Sequence, residues 1–126
     1  QKAKRKKIKN RDFFVADSLL HPFGKQKFDV VIALNMLEMV EPQNLLEIVS
    51  KQSRKFLFVS DPYDYERGKD SVKERWDEKI LRNKITSQGF DISRNTRLSN
   101  YVSWNLKINS RLELRYKVDV VLAKRH

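Results

Sequence analysis

Three short apolar runs organise this chain. Residues 12–17 (DFFVAD), 28–34 (FDVVIAL) and 56–60 (FLFVS) are rich in aromatic and β-branched side chains and lack apolar/polar alternation. A strand wetted on one side alternates, so unbroken runs predict strands of a parallel sheet covered on both faces. Between the second and third runs, residues 41–53 place Leu45, Leu46 and Val49 at helical spacing behind Pro42, which suits a first-turn position. That is a strand, helix, strand unit. A second helix is predicted over residues 71–88, where Val72, Trp76, Ile80, Leu81 and Ile85 share one stripe and Gly89 supplies the stop. Residues 102–108 and 112–123 read as an antiparallel hairpin around Asn109 and Ser110. The order β, β, α, β, α, β, β is an α/β pattern with a hairpin terminus.

A length of 126 residues, 40% of them hydrophobic, fits one domain over residues 1–126 and leaves no room for two. The absence of cysteine excludes a disulfide framework, a thiolate metal site and a cysteine nucleophile. His21 and His126 are the two imidazoles, far apart in sequence, and no metal site is expected. No apolar run approaches the roughly 20 residues that cross a bilayer, and no signal-peptide pattern opens the chain. A soluble, cytoplasmic protein with no membrane partner is the expectation. Residues 1–11 (QKAKRKKIKNR) read equally as a basic tail or as the end of a helix that begins upstream. Gln1 stands where a translated chain carries Met, so a piece of a longer protein is expected.

The net charge of +11 is uneven. Residues 1–11 hold seven basic residues and no acid, residues 12–78 nine basic against thirteen acidic, and residues 79–126 eleven against three. An acidic middle is unlike a uniformly basic nucleic-acid binder, although the two ends could together attract phosphate. Basic and aromatic side chains mingle near the C-terminus at Arg94, Arg97, Tyr101, Trp104, Lys107, Arg111, Arg115, Tyr116 and Lys117. Hairpin alternation puts only some of them on one face.

In open parallel α/β sheets ligands bind beyond the carboxyl ends of the strands. Each apolar run here ends in polar residues: Asp17 and Ser18; Asn35, followed by Met36, Leu37 and Glu38; then Asp61, Pro62, Tyr63, Asp64 and Tyr65. Three polar strand ends in succession predict a cleft.

In this order the segments resemble class I S-adenosylmethionine-dependent methyltransferases. The stretch FFVADSLLHPFGKQKFDVVIALNMLEMVEP is similar to that family's third and fourth strands with their connections. FLFVSDPYDY resembles the fifth strand and acceptor-side loop, ILRNKITSQGFDI the next helix and its glycine, and YVSWNLKINSRLELRYKVDVVLAKR the sixth and seventh strands. The resemblance implies a Rossmann-like, mostly parallel sheet with helices on both faces and a C-terminal antiparallel hairpin. It also implies S-adenosylmethionine as cofactor and a small-molecule or macromolecular methyl acceptor. Under it, Asp17 and Ser18 bind the adenine, while Ala33, Leu34 and Asn35 pass beside the methionine portion. Tyr63 and Asp64 position the acceptor or take its proton, and Asp61, Tyr65, Tyr101 and Trp104 line the acceptor pocket.

The chain departs from that family at its start, because the first two strands and the glycine-rich cofactor turn are missing. Gly24, Gly68 and Gly89 form no such motif. With the family's strand order of 3-2-1-4-5-7-6, this leaves unpaired strand edges, so a segment in cis or from a partner chain is expected to complete the sheet. Without it this chain is expected to be inactive. Two other readings stand beside the enzyme: a non-catalytic module of the same fold, and a basic nucleic-acid-binding domain.

Overall fold

The structure is a computed structural model that describes residues 10–66, 72–99 and 101–126. Strand β1 (Phe28–Leu34) leads through helix α1 (Pro42–Gln52) into β2 (Ser53–Asp61). Helix α2 (Glu78–Ser87) is followed by β3 (Phe90–Ile92), a 3-10 turn (Arg94–Thr96), β4 (Tyr101–Lys107) and the 13-residue β5 (Glu113–Arg125). The strands form one sheet in the order β1-β2-β5-β3, with β4 also paired to β5. Strands β1 and β2 run parallel, as the crossover through α1 requires, and β5 is antiparallel to β2, β3 and β4. The α/β fold and the C-terminal hairpin are therefore those read from the sequence.

Local chemistry sets the element ends. Pro42 occupies the first turn of α1, where its missing N–H costs nothing, and Ser53 turns straight into β2. Asp77 caps α2 by accepting a hydrogen bond from the Ile80 amide at 2.8 Å. Gly89 ends that helix at φ 84°, a left-handed conformation in which a Cβ is unfavourable.

Four expectations need correction. Residues 12–17 form no strand, and Phe13, Phe14 and Val15 are exposed at 76, 63 and 107%. An extended segment without a neighbouring strand has no ladder to join, and among the described residues the sheet ends at β1. The second helix begins at Glu78 rather than at residue 71. The Lys73 and Glu74 amides donate to the Glu41 carboxylate, and the Trp76 amide to the Tyr65 hydroxyl, which holds residues 73–76 in irregular chain ahead of the Asp77 cap. Trp76 still reaches the core, at 2% exposure. Strand β3 was not predicted, since three residues are too few for a period to register. Of the basic tail or helix end read at residues 1–11, positions 1–9 lie outside the described residues.

The fourth correction concerns layers. Ala33, Leu57, Val59, Val121 and Ala123 from the sheet share one buried cluster with Leu45, Leu46 and Val49 of α1 and Leu81 and Ile85 of α2. Both described helices thus cover the same face, where helices on both faces were expected. Pairing carries an apolar stripe across the other face, from Val30 and Ile32 through Phe56 and Phe58 to Leu122. Val30, Ile32 and Leu34 there are half-exposed or more, and no described segment covers them. The unbroken apolar runs record this second face as much as the first.

The β4–β5 ribbon continues past the end of β2, whose last residue Asp61 pairs with Asp119. It stands beside the carboxyl ends of β1 and β2. No described helix is long and apolar enough to cross a membrane.

Candidate functional site

The turns after β1 and β2 meet at the carboxyl end of the sheet. Asn35 follows β1 at φ 54°, and its amide donates to the Ser60 carbonyl at 2.7 Å. Its side-chain Oδ1 is buried without a partner among the described residues. Asp61 closes β2, fully buried, and ties the two turns together. One carboxylate oxygen accepts from the Leu37 amide at 2.9 Å, the other from the Tyr63 amide at 2.8 Å. Buried Glu38 accepts from the Asp64 amide at 2.9 Å, making a second tie between the turns.

Behind these turns lies a buried ionic cluster. Asp119, opposite Asp61 in the β2–β5 register, accepts two hydrogen bonds from Arg82 at 2.7 and 2.8 Å and one from the Tyr63 hydroxyl at 2.6 Å. The bidentate geometry and the burial of both groups make this a strong, directional pair. Arg82 also donates to the carbonyls of Glu78 and Thr96, at 3.0 Å each, and of Leu98 at 3.4 Å. The Asp119 carboxylate holds Arg82 in its charged form.

Titration behaviour follows from this geometry. Burial raises the Asp61 carboxyl above its ordinary value of 3.8, backbone hydrogen bonds from Tyr63, Leu37 and Met36 opposing and the nearby Asp119 adding to the rise. Burial also raises Tyr63, reinforced by its hydrogen bond to Asp119, so the phenol stays protonated and acts as a donor. Tyr65 is pushed up to about 12 by burial. For Asp61 the linkage sign is that of a raised acid. Its contribution to stability is complete below pH 3.8 and is lost as pH rises through the raised value. A stability profile from pH 3 upward should therefore fall in the native chain relative to Asp61→Asn. An identical slope in both would show that Asp61 titrates normally.

The residues singled out from sequence fall into separate groups. Ser18 and Ala33 line one groove of about 370 Å³ beside the free edge of β1, with Val30, Val31, Ile32 and Met36. Asp17, exposed, neighbours the groove and accepts from the Leu19 amide in its own turn at 2.8 Å. Leu34 is exposed on the uncovered sheet face, and Asn35 sits at the strand end. Asp61, Tyr63, Asp64 and Tyr65 converge with Leu37 and Glu38, and the Tyr65 hydroxyl accepts from the Trp76 amide at 2.7 Å. Tyr101 and Trp104, separated by three positions, fall on opposite faces of β4. The Tyr101 hydroxyl donates to Glu78, and Trp104 packs on Tyr116 with ring centroids 5.3 Å apart.

Glu38, Arg82 and Asp119 escaped the sequence reading as site residues. Two of them left a signal: Asp119 is a lone acid inside the apolar run VDVVLA, and Arg82 follows Leu81 on the buried side of α2. A charge at a core position needs a partner, and each supplies the other's.

No protein-family model and no curated protein matches the chain. Solved structures do match in fold. Magnesium protoporphyrin IX methyltransferase (ChlM) from Synechocystis PCC 6803 with bound SAM aligns over 90% of this chain at 16% identity and a TM-score of 0.56. The same enzyme with bound SAH aligns at 15% identity and a TM-score of 0.59. A structure from work on the conversion of a disulfide bond into a thioacetal group during echinomycin biosynthesis gives the same identity and TM-score over 90% of the chain. The chain spans about half the length of these proteins, 45, 50 and 55% in turn. It thus has the α/β fold of part of an S-adenosylmethionine-dependent methyltransferase.

Proposed function

We propose that this chain is the acceptor-side part of an S-adenosylmethionine-dependent methyltransferase, completed by a further segment of the polypeptide or by a partner chain. The observation that carries the reading is the fold likeness, over nine-tenths of the chain, to a methyltransferase holding SAM or SAH. The residues present fit part of that cofactor. The groove beside β1 offers apolar walls for a flat ring, and Asn35 offers a buried oxygen able to accept from an amine. Gly24 and Gly89, the described glycines with positive φ, lie in other turns and build no cradle for a cofactor backbone.

In this reading Asp17 and Ser18 hold the adenine, and Ala33, Leu34 and Asn35 flank the methionine portion. The turn carrying Tyr63, Asp64 and Tyr65 faces the acceptor, with Trp104 and Tyr101 on the ribbon beside it. The cofactor supplies a methyl group on a sulfonium that is its own leaving group. The protein then has to align the acceptor atom and accommodate its proton. The completing segment pairs with the free edge of β1 and covers Val30, Ile32 and Leu34. The nucleic-acid reading is the weaker one, because register puts Trp104 and Tyr116 on the ribbon face opposite Lys107, Arg115 and Lys117, so that of these aromatics Tyr101 alone shares the basic face.

Calorimetric titration tests the proposal. Residues 1–126 should bind S-adenosylmethionine weakly, with a Kd of about 1 mM or above, and a polypeptide carrying the completing segment should bind at about micromolar Kd. Submicromolar binding by residues 1–126 would misplace the cofactor site, and no binding by the completed protein would reject the cofactor.

A further inference from the structure

We propose that Arg82 and Tyr63 are positioning residues of the turn after β2: Arg82 fixes Asp119, and Asp119 holds the Tyr63 hydroxyl, so the turn keeps one conformation. The first observation is backbone strain. Tyr63 lies at φ 54°, a left-handed conformation that a bulky L-residue adopts only when its surroundings impose it. Its surroundings supply two bonds, from its amide to Asp61 and from its hydroxyl to Asp119. They arrive from two adjacent strands and fix both ends of the residue.

The second observation is that Arg82 has no donor nitrogen left for a ligand. Its Nε donates to Thr96, its Nη1 to Glu78 and Asp119, and its Nη2 to Asp119 and Leu98. A guanidinium so committed is an anchor. It joins α2, residues 96–98 and β5 at one point, and Tyr63 connects the β2 turn to that point. The hydroxyl bonded to buried Asp119 thus fixes the turn's shape, while Asp64 and Tyr65 follow on the same turn. That this turn serves an acceptor rests on the methyltransfer reading; the latch itself rests on the geometry.

Native-state amide exchange by NMR separates a local latch from general stability. In Tyr63→Phe, which loses one oxygen, the amides of Leu37, residue 63 and Asp64 should exchange about tenfold faster or more relative to Leu81 and Ile85 of α2. Ile85→Val provides the control, a global loss without a local one. A phenolic proton far downfield should be present in the native chain and in Ile85→Val, and absent in Tyr63→Phe. Uniform acceleration matching the control, or unchanged turn amides, would overturn the latch. Because no cofactor enters the experiment, that failure would leave the methyltransfer reading standing, and a failed cofactor titration would leave the latch standing.

Discussion

Arg82→Met is expected to cost about 3–5 kcal/mol in urea unfolding at neutral pH, because it leaves the Asp119 carboxylate fully buried and without its cation. Domains of this size are stable by about 5–15 kcal/mol, so the variant should sit near its unfolding threshold. The cause can be separated from lost packing. Adding Asp119→Leu and Tyr63→Phe to Arg82→Met removes the stranded charge and the stranded hydroxyl together, and most of the loss should return. A single-variant loss below about 1 kcal/mol would place water or another cation beside Asp119. A triple variant no more stable than the single would assign the loss to the shape of the Arg82 side chain.

Phe90→Ala should cost about 3–5 kcal/mol through a cavity at the base of the sheet. Phe90 is fully buried, opposite Arg125 in register, with the guanidinium 4.3 Å from its ring centroid. Arg125 in turn donates from Nε to the Ser53 carbonyl at 3.0 Å and from Nη2 to the Ser50 carbonyl. Removing the ring therefore loosens the point where α1 turns into β2 as well as the core. Thermal unfolding of Phe90→Ala and Phe90→Leu checks this, the leucine variant being expected to keep more than half of the stability lost by alanine. Equal losses would mean that contact with the aromatic face, rather than volume, sets the cost.

The sequence made α1, β1, β2 and the hairpin legible because each carries a full period of its pattern. It misled at residues 12–17, where the composition is that of a strand but the described structure holds no neighbour for it to pair with. It misled again at residues 72–77, where Val72 and Trp76 fit a helical stripe yet are buried from irregular, non-helical chain. There the backbone amides find side-chain acceptors distant in sequence, Glu41 and Tyr65, which no local pattern reveals. The site was half legible for the same reason. Polar strand ends point to Asn35, Asp61 and Tyr63, but the partners that fix Tyr63 sit 19 and 56 residues further along and are joined to it by register and burial.

Strand β5 pairs with β2, β3 and β4, and all three precede it in the chain. On a ribosome, the described sheet therefore consists of the β1–β2 pair until β5 emerges. Until then Asp61 lacks its facing strand, Arg82 lacks its anion, and β3 and β4 have no ladder to join. Beyond the β1–β2 pair, the sheet closes only after synthesis has passed β5. Truncation ahead of Glu113 should thus remove the partner of three strands at once, and truncation after Asp119 should spare the β4 ladder while stripping β3 and most of β2, leaving their edges as substrates for chaperones and proteases.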